Sequence, residues 1–375
     1  MREYSYHDVL DVVYLAACAV NGIIPDRERV QAMDQEALFQ LAKQHLLTGI
    51  IAFALESAGF GSERTTAAKG QAIRKVLLLT AEKDKILEQF EKAGIWYLPL
   101  KGSLLKDLYP AIGMRQMSDV DILIDAGRLQ DAKAIMQELH YEKFEEGGAH
   151  IEFQKKPLYN IELHKRLFSP VGQKLLFEYY NSVKDKLLQN KDGGFGYHFS
   201  DEDFYIYQVA HEYKHYAHGG TGLRSLLDTY VYCIRKGEIL DWNYIQNELG
   251  KMNLTEFEEE NRILAMKLFE GKDLDSQDKT VLDYILSSGT YGTTDHTVMN
   301  AVSRQGNGFK GRIRYFLSRL FLPMDIVREI YPTFAKYPVL LPFLPVYRLI
   351  RGLTHNRSRL KAEMRSFFRT WKKQG

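Results

Sequence analysis

Two acids two residues apart, Asp119 and Asp121, open an apolar run in Met114-Arg115-Gln116-Met117-Ser118-Asp119-Val120-Asp121-Ile122-Leu123-Ile124. On a strand, residues i and i+2 point to the same side. Two carboxylates aimed at one point repel each other unless a cation lies between them or one takes a proton. Hard oxygen donors of this kind suit Mg²⁺, which takes few carboxylates and completes its shell with water and substrate phosphates. A third acid, Glu162, lies between Ile161 and Leu163 in Tyr159-Asn160-Ile161-Glu162-Leu163-His164. Strand alternation turns it away from both apolar neighbours. Three carboxylates on neighbouring strands can hold two Mg²⁺ ions, one activating a nucleophile and the other gripping triphosphate oxygens.

Lys101-Gly102-Ser103 ends the apolar run Ile95–Leu100 and can cradle phosphate. Glycine lets the backbone approach an anion, serine offers a hydroxyl, and N–H groups opening the next helix point outward. Lys101 and Arg115 add positive charge. Each part also has an ordinary explanation: Gly-Ser turns are common, Ser-Asp-x-Asp can follow a surface turn, and Glu162 can be a solvated strand residue. The order is more specific than its parts: strand, Gly-Ser, helix, Asp-x-Asp strand, then an acid on a later strand. His164 shares the face of Glu162 and can touch a phosphate, orient Glu162 or pack in the core.

A second cluster competes. His211-Glu212-Tyr213-Lys214-His215 has the H-E-x-x-H form, which on a helix puts two histidines on one face to bind Zn²⁺, with Glu212 as base of a zinc hydrolase. The extended form wants Gly and His three and six residues further on, where this chain has His218 and Thr221. Histidines on a helix closing over the acidic cleft fit the same residues. Arg224 and Asp228, spaced i and i+4, can be a helix-surface ion pair or can position substrate from the helical part.

The elements that must position these groups follow from periodicity. Residues 1–93 read as helices, with Leu10, Val13, Tyr14 and Ala17, then Leu38, Leu41, Ala42 and His45, then Ile73, Val76, Leu77, Thr80, Ile86 and Phe90 at helical spacing. Strands are expected over Ile95–Leu100, Val120–Ile124, His150–Gln154 and Tyr159–Leu163, the last two as a hairpin, with helices over Leu104–Tyr109 and Arg128–Leu139. The helical pattern returns at Asp201. The expected class is α+β: a mixed-sheet core over 94–200, helices over 1–93 and 201–303, and a basic, Pro-containing segment over 304–375.

This pattern resembles the polymerase-β-like nucleotidyltransferase superfamily, and most of all its large bacterial branch of uncharacterised nucleotidyltransferases. The diagnostic residues are Lys101-Gly102-Ser103, Arg115 with Ser118-Asp119-Val120-Asp121, and Glu162-Leu163-His164. The distal His211, Lys214, His215, Arg224 and Asp228 resemble that branch too, as does the basic C-terminus. The resemblance implies that Asp119 and Asp121 bind two metals, that Glu162 completes the catalytic one and serves as general base, and that an NTP is the co-substrate. An NMP would pass to an acceptor hydroxyl with release of pyrophosphate. Two departures stand out: a long Ser103–Asp119 spacing and Glu where Asp is commoner. A pseudoenzyme that binds a nucleotide or partner in the same cleft is the alternative within this reading.

Composition sets the outer bounds. Apolar residues make up 45% and charged residues 26% of 375, and 23 Tyr and 20 Phe exclude disorder as the main state. Two cysteines, Cys18 and Cys233, exclude a disulfide framework and a four-cysteine zinc site, which fits a cytoplasmic protein. The polar N-terminus shows no signal-peptide core, and the most apolar stretch, Tyr337–Ile350, is 14 residues with three prolines. A spanning helix needs about 20, so no transmembrane segment is expected. From Arg304 on there are 16 Lys/Arg against three acids, which leaves about −11 of the net +2 for the rest. Such a tail, with Arg312, Arg314 and Arg319 among aromatic residues, can meet a polyanion such as RNA, a membrane surface, or an acidic protein face.

Overall fold

The computed structural model describes residues 4–191, 193–289 and 321–355, with positions 297, 300, 314, 317, 318 and 320. The Arg312–Arg319 stretch falls largely outside them, as does residue 356 onward. Helices α1 (Tyr6–Asn21), α2 (Arg27–Ala32), α3 (Gln35–Gln44), α4 (Thr48–Ser57) and α5 (Glu63–Lys92) come first. Ser5 and Ser62 cap α1 and α5 through side-chain bonds to the backbone N–H groups of Asp8 and Thr65, meeting donors a helix leaves unpaired. Leu77, expected on the apolar face of α5, is half exposed, whereas Val76, Ile86 and Phe90 are buried.

The core carries β1 (Tyr97–Pro99), α6 (Gly102–Leu105), β2 (Val120–Ile124), α7 (Leu129–Glu138), β3 (Glu142–Glu146), β4 (His150–Lys155) and β5 (Tyr159–His164). Helix α6 is one turn, continued by a 3₁₀ turn at Lys106–Leu108, in place of the helix expected to Tyr109. The sheet order is β1-β2-β5-β4-β3, and only β2 and β5 run parallel. Interior strand β2 is buried along its length. Val120, Ile122 and Ile124 join Ile161 and Leu163 against α5 and α7. Leu98, Leu100 and Leu123 pack on the opposite side. Alternation thus puts Asp121 of β2 and Glu162 and His164 of β5 on this second face.

Helices α8 (Lys174–Tyr180), α9 (Asp201–His218), α10 (Leu223–Lys236), α11 (Trp242–Gly250), α12 (Thr255–Phe269) and α13 (Ser276–Ser288) follow the sheet, and residues of α8, α9, α10 and α11 pack on that face. A two-stranded ribbon, β6 (Leu188–Gln189) with β7 (Tyr197–His198), precedes α9. Residues of α1, α3 and α4 share one core with α10, α12 and α13. The first and third sequence divisions therefore touch in space and flank the sheet unit together. Further on, the apolar stretch forms a 3₁₀ turn (Pro338–Phe343) and a helix (Leu344–His355), with Val339, Phe343 and Val346 exposed. Among the described residues no helix is long and apolar enough to cross a membrane.

Candidate active site

A cavity of about 380 Å³ opens between the sheet ends and helices α9 and α10. Parallel pairing of β2 with β5 sets Asp121 directly beside Glu162. Asp119, just ahead of β2, lines the same cavity. The two neighbouring aspartates and the sequence-distant Glu162 line one cavity, and the Gly102 bend opens onto it.

The tightest contacts centre on Asp121. Lys101 Nζ donates to its Oδ1 at 2.6 Å, and His164 Nε2 lies 2.8 Å from the same atom and 3.3 Å from Glu162 Oε2. Burial works to raise the Asp121 carboxyl, but Lys101 and His164 outweigh it and hold the group well below the usual carboxylate range. Asp119 goes the other way: burial, then the charges of Asp121 and Glu162, push it up to about 6 despite Lys101. Burial and neighbouring acid charge on Asp119, against the Lys101 and His164 contacts of Asp121, thus separate the two aspartates, and a cation would relieve the repulsive part. Burial works to lower Lys101, but the three acids raise it, so it stays charged.

Among the described residues one group of His, Cys, Asp and Glu side chains is compact enough to hold an ion: Asp121, Glu162 and His164, with donor atoms within 4.8 Å of one another. Two carboxylate oxygens and an imidazole nitrogen are a chemically sound donor set for a divalent ion. His164, expected to touch a phosphate, orient Glu162 or pack in the core, joins this set, while Asp119 stands outside it.

The Gly-Ser bend differs from its expected form. Lys101 takes a left-handed backbone (φ 48°), a conformation that costs a non-glycine residue about 1–3 kcal/mol and that concentrates at functional sites. The Ser103 N–H donates to Leu100 O and the Leu104 N–H to Lys101 O, so these groups cap their own turn instead of pointing outward. Ser103 is buried, does not line the cavity, and its Oγ lacks a hydrogen-bond partner. Gly102 has a different reason to be glycine: a Cβ there would come within 2.5 Å of the Arg115 guanidinium.

Arg115, placed by sequence among the triphosphate ligands, gives two nitrogens to Asp228 instead, Nε to Oδ1 at 2.7 Å and Nη2 to Oδ2 at 2.8 Å. Tyr109 Oη donates to Oδ1 at 2.7 Å as well. Asp228 is buried, so the expectation of a surface pair with Arg224 is corrected; Arg224 reaches back to Gln116 O at 3.2 Å. Both Arg115 and Asp228 still form part of the cavity wall.

The opposite wall is α9. His211 and His215 face the cavity with their Nε2 atoms 3.1 Å apart. Burial, then Lys101, His215 and Lys214, hold His211 well below its ordinary value. Lys214 is lowered to about 8 by burial and by Lys101, against Asp121 and Glu162. Glu212 turns toward α10, where Thr229 Oγ1 donates to it at 3.3 Å. The histidines therefore lack a third close ligand among the described residues, and Glu212 is not aimed between them. This geometry removes the support for a zinc hydrolase.

Sequence reasoning missed His150, Tyr207 and Gln208, all in the cavity wall. His150 faces His164 across the β4–β5 hairpin, a placement its register could have supplied. Tyr207 and Gln208 sit on a helix whose facing partners the sequence does not show.

The family model described as "Uncharacterised nucleotidyltransferase" matches residues 31–270, nearly two thirds of the chain. The protein belongs to this nucleotidyltransferase family. The match takes in every cavity residue named above, and the α+β architecture fits it. Searches of curated proteins and of solved structures matched nothing. Family membership makes the protein a transferase at the coarse level.

Proposed function

We propose that this nucleotidyltransferase moves an NMP from an NTP to a hydroxyl acceptor, with release of pyrophosphate. The observation that carries the reading is the register Asp121↔Glu162, which sets two acids side by side on the cavity floor with Asp119 one step away. Asp121 and Glu162, with Asp119 facing them, would hold Mg²⁺, and a bound ion would supply charge neutralisation for the phosphates. Binding a second ion would draw in Asp119.

The chain's own residues do the rest. Lys101 and Lys214 offer ammonium groups from opposite walls for the β and γ phosphates. His211 and His215, held largely neutral, donate or accept hydrogen bonds at the phosphate oxygens without adding fixed charge. The acceptor oxygen bonds to the α-phosphorus, the α–β phosphoanhydride breaks, and Glu162 takes the acceptor's proton. Catalysis comes mainly from positioning and charge compensation. Incubation with each α-³²P-labelled NTP and a cell extract should give label on protein, RNA or a small molecule. Binding of NTP with no transfer to any acceptor would favour the pseudoenzyme.

A further inference from the structure

We propose that the ion site is a mixed nitrogen–oxygen site, with His164 Nε2 as a ligand, so that it favours a first-row transition ion over Mg²⁺. The proposal rests on reading this cleft as the nucleotidyl-transfer site. The inference comes from geometry and donor chemistry. His164 Nε2 lies 2.8 Å from Asp121 Oδ1 and 3.3 Å from Glu162 Oε2. Ligand atoms about 2.1 Å from one ion and at right angles to it stand about 3 Å apart. The two spacings bracket that of neighbouring ligands on one octahedron, and the shorter one is in this structure a hydrogen bond that an ion would replace.

His164 is itself buried, and its place on β5 is fixed by the same pairing that fixes Glu162. It needs no rearrangement of the strand to serve. Its Nε2 must present a lone pair to an ion, so the ring proton then resides on Nδ1. Lys101 shares Oδ1 of Asp121 with this imidazole, so an arriving ion competes with its ammonium for that oxygen. A more strongly binding ion wins that competition more readily. Imidazole adds little for Mg²⁺, which prefers oxygen, and more for Mn²⁺, Fe²⁺, Co²⁺ or Zn²⁺. His150, tilted against His164 with ring centroids 5.1 Å apart and its Nε2 3.9 Å from Glu162, is the neighbouring imidazole on the sheet. It is the natural control.

The test uses the full chain loaded with Mn²⁺, with and without ATP, read by electron spin echo modulation and by competition with Mg²⁺. Wild type should show nitrogen coupling on the bound Mn²⁺. His164→Asn should lose that coupling and cut the Mn²⁺-over-Mg²⁺ preference by roughly tenfold or more, while His150→Asn should retain both. Since transition ions outbind Mg²⁺ at many sites, the change caused by His164→Asn is the diagnostic quantity, not the wild-type ratio alone. Bound Mn²⁺ without nitrogen coupling in wild type overturns the proposal even if the variant fails to fold. So does coupling lost in His150→Asn alone, an unchanged ratio in His164→Asn, or no Mn²⁺ binding with ATP present. Nitrogen coupling without label transfer to any acceptor would instead defeat the transferase reading and leave the ion site standing.

Discussion

Two ion pairs of nearly equal length, one buried and one part-buried, behave as opposites. Arg115–Asp228 is closed: both carboxylate oxygens are taken by a planar fork, and a tyrosine hydroxyl adds a third bond. Lys101–Asp121 is open: lysine and histidine crowd one oxygen, and two further acids crowd the same cavity. A buried charge that is fully bonded is a fixed part of the architecture. One set among like charges beside a cavity stores repulsion that a cation can release. The contrast teaches which charges of this cleft hold it together and which are left for chemistry.

The largest expected effect separates the two pairs by readout. Asp121→Asn should cut NMP transfer by roughly a thousandfold, measured with α-labelled NTP, with a smaller loss of stability than Asp228→Asn. Near-normal transfer would break the comparison. Asp228→Asn leaves Arg115 buried without its counter-charge and should cost about 3–5 kcal/mol by denaturant unfolding. Pairing it with Arg115→Met should recover part of that loss, since no uncompensated charge then remains.

A pH scan probes how the closed pair's helix is held. The first N–H of α10, at Leu223, donates to Nδ1 of fully buried His45, whose Nε2 lacks a partner. Burial lowers the His45 value from 6.5 to about 4. The folded protein therefore refuses a proton that the unfolded chain accepts. Stability should fall as pH drops from 6.5 toward 4, by about 1.4 kcal/mol per pH unit and about 3 kcal/mol in all. His45→Gln should flatten that slope, and an unchanged slope would show that other groups set it. The smallest effect links the two pairs: Gly102→Ala pushes a methyl at Arg115, which Asp228 holds in place. Overpacking of this kind costs about 1–3 kcal/mol, and a thermal melt with no shift would mean the closed pair yields easily.

Much of the fold was legible in local pattern. Strand β2 coincides with its expected bounds, and the β4–β5 hairpin follows its alternation closely, because one buried face imposes period two. Strand β3 was not legible: all five residues, Glu142 to Glu146, are exposed, and an edge strand that carries charges shows no alternation. The candidate site divides in the same way. Asp119, Asp121 and Glu162 could be read from spacing, and their convergence follows from strand pairing. The fates of Arg115 and Ser103 could not.

By itself the sequence determined the acid pattern, the strands that carry it and the helices around them, since these depend on neighbours a few residues away. Only the tertiary structure decided that Arg115 serves Asp228, 113 residues on, that Lys101 and His164 share one oxygen of Asp121, and that Glu212 turns from its histidines. A charged side chain bonds to whatever partner the packed chain brings within about 3 Å, and sequence spacing does not encode that distance for residues on different elements.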